Sequence, residues 1–402
     1  MKTEKNKAMT IRQLILPLYL PTFLLAVAHS TMTPILPLFA DSFKVGYSWI
    51  GLVLAGQGLG TLLGDVPAGM ILHRLGIRKT MFVGVLTWGL CTLSLFWVNQ
   101  IWMVFILQII GGFGFSFYGV ARMLLISDKL PSQFRGRAVS LVGGVFRMGR
   151  VVGPFVAGLL AVNFELRSGF IFFFLMVCLA FIVLFFFMPE FILAGKNHEK
   201  GSIGSVAREN KKIFLTGGSG QFILSLLRSG PRVIIPLFGV KVLGLAVDDI
   251  GAILSLTALL DMFLFIPAGW IMDNLGRKFS VVPSIALLGI SLFLIPFTTS
   301  YNGLLAMALI GGFGNGISAG LIMTLGADFA PAALRGEFLG IWRLIGDGGN
   351  SASPLIVGAL ADLLSLQQTT IALSGFSILG VLIFAFTMPE PLKYPIWRRR
   401  SH

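Results

Sequence analysis

Apolar runs of about 20 residues alternate with short polar breaks along this chain, and each run is long enough to cross a bilayer as a helix. Runs over 12–38, 47–72, 79–98, 101–126, 137–162 and 168–189, then 213–240, 248–272, 278–299, 303–327, 336–361 and 369–388, predict twelve transmembrane α-helices. Barrel strands would show as short alternating segments, and the chain has none of that pattern. The one long polar break carries Lys196, Lys200, Gly201, Ser202, Gly204, Arg208, Lys211 and Lys212 and reads as a linker. The expected organisation is a six-helix bundle over 1–190, a cytoplasmic linker over 191–212 and a second six-helix bundle over 213–402.

The second bundle repeats the first at a constant offset. Pro67, Ala68 and Gly69 match Pro267, Ala268 and Gly269, and Gly111, Gly112, Phe113 and Gly114 match Gly311, Gly312, Phe313 and Gly314. Asp128, Arg135, Gly136, Pro154, Gly158, Met188, Pro189 and Glu190 match Asp328, Arg335, Gly336, Pro354, Gly358, Met388, Pro389 and Glu390. Chance matches would not hold one offset, so the chain is a tandem duplication.

Composition sharpens this picture. Hydrophobic residues make up 55% and charged residues only 12%, against about 25% charged in soluble domains, and the mean hydropathy is +0.88. Such a chain would expose apolar surface everywhere in water and belongs in a lipid bilayer. The net charge of +14 would suggest nucleic acid in a soluble protein, but the basic residues sort by side. With the N-terminus cytoplasmic, 22 of the 31 Lys and Arg fall in cytoplasmic segments and three (Lys44, Arg167, Lys241) on the opposite face. This is the positive-inside signature. It predicts a multi-pass protein of the cell (inner) membrane with both termini cytoplasmic, the basic tail Arg398–Arg400 meeting anionic lipid, and no nucleic-acid partner. Trp49, Trp97 and Trp102 fall near span ends, as an aromatic belt would. The phenylalanines 172–174 and 185–187 read as lipid-facing bulk. Cys91 and Cys178 lie inside apolar runs, which excludes a disulfide framework.

The second run ends in Gly69 and leads through His73, Arg74, Gly76 and Arg78 to Lys79, and the eighth ends in Gly269 and leads through Asp273, Gly276 and Arg277 to Lys278. Two six-helix halves, a basic central linker and this paired loop motif resemble the major facilitator superfamily. The resemblance implies two pseudo-symmetric six-helix bundles and solute transport by alternating access. His73 stands where the family motif has an acid, and Asn274 where it has an Arg. Independently of family, Gly69 and Gly76 permit a tight turn, and Arg74 can reach a carboxylate such as Asp128 and latch the cytoplasmic face. Gly149, Gly153, Pro154 and Gly158 in the fifth run resemble the Gly-Pro motif of the drug/proton antiporter branch, whose members are exporters. Gln108 stands where that branch often carries an Arg.

Ionisable residues at membrane depth are costly and mark function by default. Arg147, Arg150, Arg228, Arg232, Asp261 and Asp347 fall near mid-depth, Asp65, Arg122 and Arg343 nearer the cytoplasm, and His29 lies in the first run. The family fold implies that Asp65 can meet Arg343, and Asp261 can meet Arg147 or Arg150, in pairs that form and break. Arg343 and Asp347 are four apart on one helical face. The surplus of guanidinium favours an anionic substrate. Arg228 and Arg232 flank Ser229, Gly230 and Pro231, which predicts a local helix break of the kind that marks transporter sites. Asp65, Asp261, Asp347 and His29 are candidate proton carriers, and the proton is the only coupling ligand expected, without cofactor or metal. No nucleophile elbow, metal cluster or phosphate-binding lysine loop is legible, which points away from an enzyme and from ATP hydrolysis. The expected function is rocker-switch, proton-coupled efflux of a small amphipathic or anionic molecule by a monomer. The alternatives are uptake or facilitated diffusion of a metabolite, and a non-transporting receptor or scaffold.

Overall fold

A computed structural model describes residues 15–130, 132–190, 203–331 and 334–391, which are helical and hold no strand. The N-terminal lysines, most of the linker (191–202) and the basic tail lie outside the described residues. The expected runs are helical along the described residues, but two of them, 248–272 and 303–327, are each divided into two helices. The first half has α1 (Leu20–Asp41, preceded by a π turn), α2 (Tyr47–Ser94), α3 (Ile101–Lys129), α4 (Ser132–Asn163) and α5 (Ser168–Phe187). Two short helices follow, α6 (Ile203–Glu209) and α7 (Lys211–Ile213), within the segment expected to be linker. The second half has α8 (Ser219–Lys241), α9 (Val247–Phe263), α10 (Phe265–Asn274), α11 (Arg277–Leu294), α12 (Tyr301–Ile317), α13 (Leu321–Phe329), α14 (Arg335–Leu363) and α15 (Leu366–Leu382). Among the described residues nine helices are long and apolar enough to cross a membrane, or ten when the bent pair α9–α10 is one span. Helix α2 covers two expected runs, because Gly76 (φ 78°, ψ 172°) turns the chain between them.

The chain forms two compact units. The first is Met1–Val45, Leu52–Lys196 and Ala246–Ser255, and the second is Gly46–Gly51, Asn197–Leu245 and Leu256–His402. In the first, α1 packs on α4 and α5; in the second, α8 packs on α14 and α15, and α11 on α12 and α15. The small residues of the Gly-Pro motif explain the α1–α4 contact. A Cβ at Gly149 would lie 2.5 Å from the Ala26 Cβ, and one at Gly153 would lie 2.6 Å from that of Ser30. The duplicated contact in the second unit uses Gly349 against the Phe222 carbonyl, and Ser353, whose hydroxyl donates to the Leu226 carbonyl at 2.8 Å.

Each unit also takes in a short piece from the other half's sequence. The first turn of α2 lies in the second unit, where Asp362 accepts the Tyr47 N–H at 2.6 Å and the Ser48 N–H at 2.8 Å. Helix α9 starts in the first unit and has an acceptor of its own, since its first turn holds Asp248 and Asp249 and Asp249 accepts the Ala246 N–H at 3.3 Å.

Three features correct the sequence expectations. Helix α8 is continuous through Ser229, Gly230 and Pro231, where a break was expected. Pro231 removes only the N–H that would serve the Leu227 carbonyl, and Ser353 supports the adjacent carbonyl of Leu226. The breaks fall elsewhere. Helices α9 and α10 bend by 41° at Leu264, one turn before Pro267, whose ring crowds the Phe263 carbonyl. The equivalent Pro67 leaves α2 unbroken, so the proline permits this bend without forcing it. The tenth expected helix is interrupted at Ser318–Gly320, with Gly320 at φ 82°. Phe173, expected to face lipid, is instead 1% exposed and packs edge-on against Trp88 at 5.1 Å, while Phe185–Phe187 are exposed.

Candidate functional site

The polar core of the second unit is built around the break between α12 and α13. Glycine takes a positive φ at little cost, so Gly320 ends α12 in mid-span. A broken helix strands main-chain carbonyls, and an unserved carbonyl in hydrocarbon costs several kcal/mol. Here the turn serves the Ser318 carbonyl through the Leu321 N–H at 3.2 Å, and side chains serve the break further. Ser280 donates to the Ile317 carbonyl at 2.6 Å. Arg228 on α8 donates from Nη2 to the Ser318 carbonyl at 2.8 Å and also to the Ser318 hydroxyl. Ser284 shares a hydrogen bond with that hydroxyl at 2.6 Å. A cation at the C-terminal end of a helix also meets its negative dipole. One turn back, Asn315 donates from Nδ2 to Asp261 Oδ1 at 2.9 Å. Asp261 is 2% exposed, and its charge acts on Arg232, one turn along α8 from Arg228. Ser229, between the two arginines, donates to Asn350 Oδ1 at 2.9 Å.

The duplication provides an internal control. At the offset of the repeat, Arg228, Arg232, Asp261, Ser284, Asn315 and Ser318 correspond to Ala28, Met32, Thr61, Gly84, Phe115 and Tyr118. The first half folds into a helical bundle with none of these charges, keeping only the Thr61 and Tyr118 hydroxyls at these positions. Val120 stands at the position of Gly320, a β-branched residue poorly suited to positive φ, and α3 runs unbroken from Ile101 to Lys129. The fold therefore does not require the buried charges of the second unit.

The first unit has its own, different cluster. His29 packs against both Trp88 and Phe115, with ring centroids 5.5 Å and 5.8 Å away, and Gln57 Nε2 approaches its Nδ1 at 3.5 Å. Asp65 accepts from the Ser116 hydroxyl at 2.5 Å. The Arg122 guanidinium stacks over Tyr118 at 5.4 Å and Phe146 at 4.9 Å, and Tyr118 shares a hydrogen bond with Thr22 at 2.8 Å. Arg147 and Arg150 are half-buried on α4. Arg343 and Asp347 share one face of α14 as expected, Nε to Oδ2 at 3.2 Å.

The loop motif is most elaborated in the second half. Arg277 joins Asp273 at 2.9 Å and Asp328 at 2.9 Å and donates to the Met272 carbonyl. Glu390 accepts the N–H groups of Arg277 and Lys278, each at 2.9 Å, and Lys278 Nζ donates to the Ala385 carbonyl at 2.8 Å. Gly276, at φ 125°, turns those N–H groups toward the carboxylate. In the first half Ile77 replaces Arg277, His73, Arg74 and Lys79 are exposed, and Arg78 donates to the Phe185 carbonyl at 2.7 Å. Ion pairs of the kind expected around Arg74 are seen around Arg277 in the other copy. Sequence reasoning missed Ser318, Asn315, Ser284 and Glu390, although the last belongs to the duplicated Met-Pro-Glu signal.

The profile of the Major Facilitator Superfamily matches residues 18–218 and again 217–401. An uncharacterised MFS-type transporter of Methanocaldococcus jannaschii is 22% identical over 95% of this chain and 98% of that protein. The cis,cis-muconate transport protein of Acinetobacter baylyi is 24% identical over 82% of this chain and 80% of its own. Multidrug resistance protein 2 of Bacillus subtilis is 22% identical over 69% and 70%. A bacterial homologue of the human lysosomal transporter Spinster, solved inward-facing and unoccupied, superposes with a TM-score of 0.77 at 14% identity over 94% of this chain and 96% of that chain. The chain belongs to the Major Facilitator Superfamily. It is an integral membrane transporter and not an enzyme.

Proposed function

We propose that the chain exports a small anionic or amphipathic organic molecule by proton-coupled, rocker-switch alternating access. The observation that carries the anionic reading is the Arg228–Arg232 pair, set one turn apart within an apolar span, Arg228 half-buried and Arg232 exposed, where the duplicated half has Ala28 and Met32. A planar guanidinium fork matches carboxylate and phosphate groups bidentately. The relative named for muconate, a dicarboxylate, agrees in charge. Export draws support from the Gly149–Gly158 motif and from the multidrug-resistance relative. Asp261, Asp65 and His29 are the candidate proton carriers. The Lys and Arg asymmetry supports a cell-membrane location with cytoplasmic termini, and the functional unit is a monomer. The aromatic box of His29, Trp88 and Phe115 favours a second reading, an apolar aromatic substrate.

Counterflow in proteoliposomes holding the full chain tests this. Labelled cis,cis-muconate should accumulate against preloaded unlabelled muconate, benzoate should compete, and tetraphenylphosphonium should not. Arg228→Gln and Arg232→Gln should each weaken uptake by about tenfold, the size of one lost charge-assisted hydrogen bond. Competition by the cation and not by benzoate would replace the anionic reading with the aromatic one. Stimulation by an inward proton gradient, with muconate moving outward, would support export over uptake.

A further inference from the structure

The partner that holds Arg228 is a main-chain carbonyl that a helix could serve by itself. Both hydrogens of Nη2 are engaged, one by the Ser318 carbonyl and one by its hydroxyl. Nη2 also belongs to both bidentate faces of a guanidinium, end-on with Nη1 and side-on with Nε, so a carboxylate gripping Arg228 as a fork must take at least one of the two hydrogens that Ser318 holds. We propose that Arg228 is a removable cap on the α12–α13 break, for which the substrate anion and Ser318 compete, so that anion binding drives α12 and α13 to join into one helix.

Each step has a basis in the chain. Once uncapped, the Ser318 carbonyl keeps only the Leu321 N–H of the turn, at 3.2 Å, and loses the charge-assisted donor that favours the broken form. Rejoining the helix exchanges that turn bond for one from the N–H of Ile322, four residues on. The change requires Gly320 to pass from φ 82° to a helical φ, and glycine occupies both regions readily. The corresponding α3 shows that this stretch of the repeat can run unbroken. Ser284 and Ser280 remain beside the turn in either state, since both sit on α11. The break would then report occupancy by its own geometry, and a solute that leaves Arg228 on Ser318 would leave it unchanged.

The inference rests on the anionic reading above, and the test separates the two. Hydrogen exchange of the amides of residues 319–322 is followed in the full-length protein in nanodiscs, with and without saturating cis,cis-muconate. Muconate affinity is measured in parallel by thermal shift. The expected result is exchange slowed by about tenfold or more on binding, as helical hydrogen bonds form. Gly320→Ala and Ser318→Ala should bind muconate severalfold more tightly, because each weakens the partner that competes for Arg228. A purely structural cap would predict unchanged or weaker binding in both variants. Ser318→Ala keeps the test sound if Gly320→Ala misfolds. If muconate binds through Arg228 yet exchange is unaltered, or Ser318→Ala binds no more tightly, the removable cap is overturned and the anionic reading stands. If neither muconate nor benzoate binds, both fall together.

Discussion

Arg277 Nε donates to Asp328 Oδ2 at 2.9 Å, tying the start of α11 to the end of α13. The same guanidinium holds Asp273, but the two carboxylates differ in exposure, 28% for Asp328 and 72% for Asp273. Exposure sets what each pair contributes. An exposed i,i+4 pair is worth well under ~1 kcal/mol, whereas a hydrogen bond to a shielded charge is worth about 1.5–3 kcal/mol. Asp328→Asn should therefore lower the thermal midpoint clearly in detergent, and Asp273→Asn should leave it nearly unchanged. Equal effects would mean that exposure does not govern this cluster.

Glu390 closes the same corner from the far end of the chain by capping the first two N–H groups of α11. An N-terminal cap of this kind contributes about 1 kcal/mol. Glu390→Ala should remove that much, read as a drop in midpoint. Gly276→Ala should cost more, since it combines a backbone at φ 125° with a Cβ only 3.0 Å from the Glu390 carboxylate. Recovery of part of that loss in the double variant, measured by thermal unfolding, would show the two sites to be coupled.

Glycines of α4 that look alike in the sequence should respond in opposite ways. A Cβ at Gly149 meets the main chain and side chain of α1, whereas one at Gly144 meets nothing within 4 Å. Gly149→Ala must push α1 away and should destabilise by about 1–3 kcal/mol or more. Gly144→Ala should be neutral or stabilising by about 0.5–1 kcal/mol, from helix propensity alone. Midpoints and yields of folded protein in detergent would distinguish them.

Asp362, just past the eleventh expected run, supplies a pH dependence. Burial pushes its carboxyl up, but the hydrogen bonds from Ser48 and Tyr47 outweigh burial and hold it below its ordinary 3.8. A carboxylate with a depressed folded value stabilises above its unfolded value, and that stabilisation is lost as pH falls through the folded one. The wild type and Asp362→Asn should therefore differ in stability at neutral pH and converge below pH 3.8. Parallel curves across that range would remove the cap from the account.

Much of the candidate site was legible from cost alone. A charge in an apolar run is expensive wherever it lies, so Arg228, Arg232, Asp261 and the Arg343–Asp347 pair stood out without any structure. Their partners did not. Ser318 and Ser284 are ordinary small residues of membrane helices, and only folding shows that they surround one broken helix. The proline signals misled in a similar way. Pro231 and Pro267 are equivalent local chemistry, yet α8 continues through the first and the chain bends 41° one turn before the second.

By itself the sequence determined the helical membrane class, the duplication and the costly charges, because apolar run length, a constant offset and charge burial are properties of residues taken in order. Only the tertiary structure decided where helices break, which repeat carries the ion-paired loop and what Arg228 holds. Those outcomes depend on whether a neighbouring helix offers a donor to a stranded carbonyl, and that neighbour lies 90 residues away in the chain.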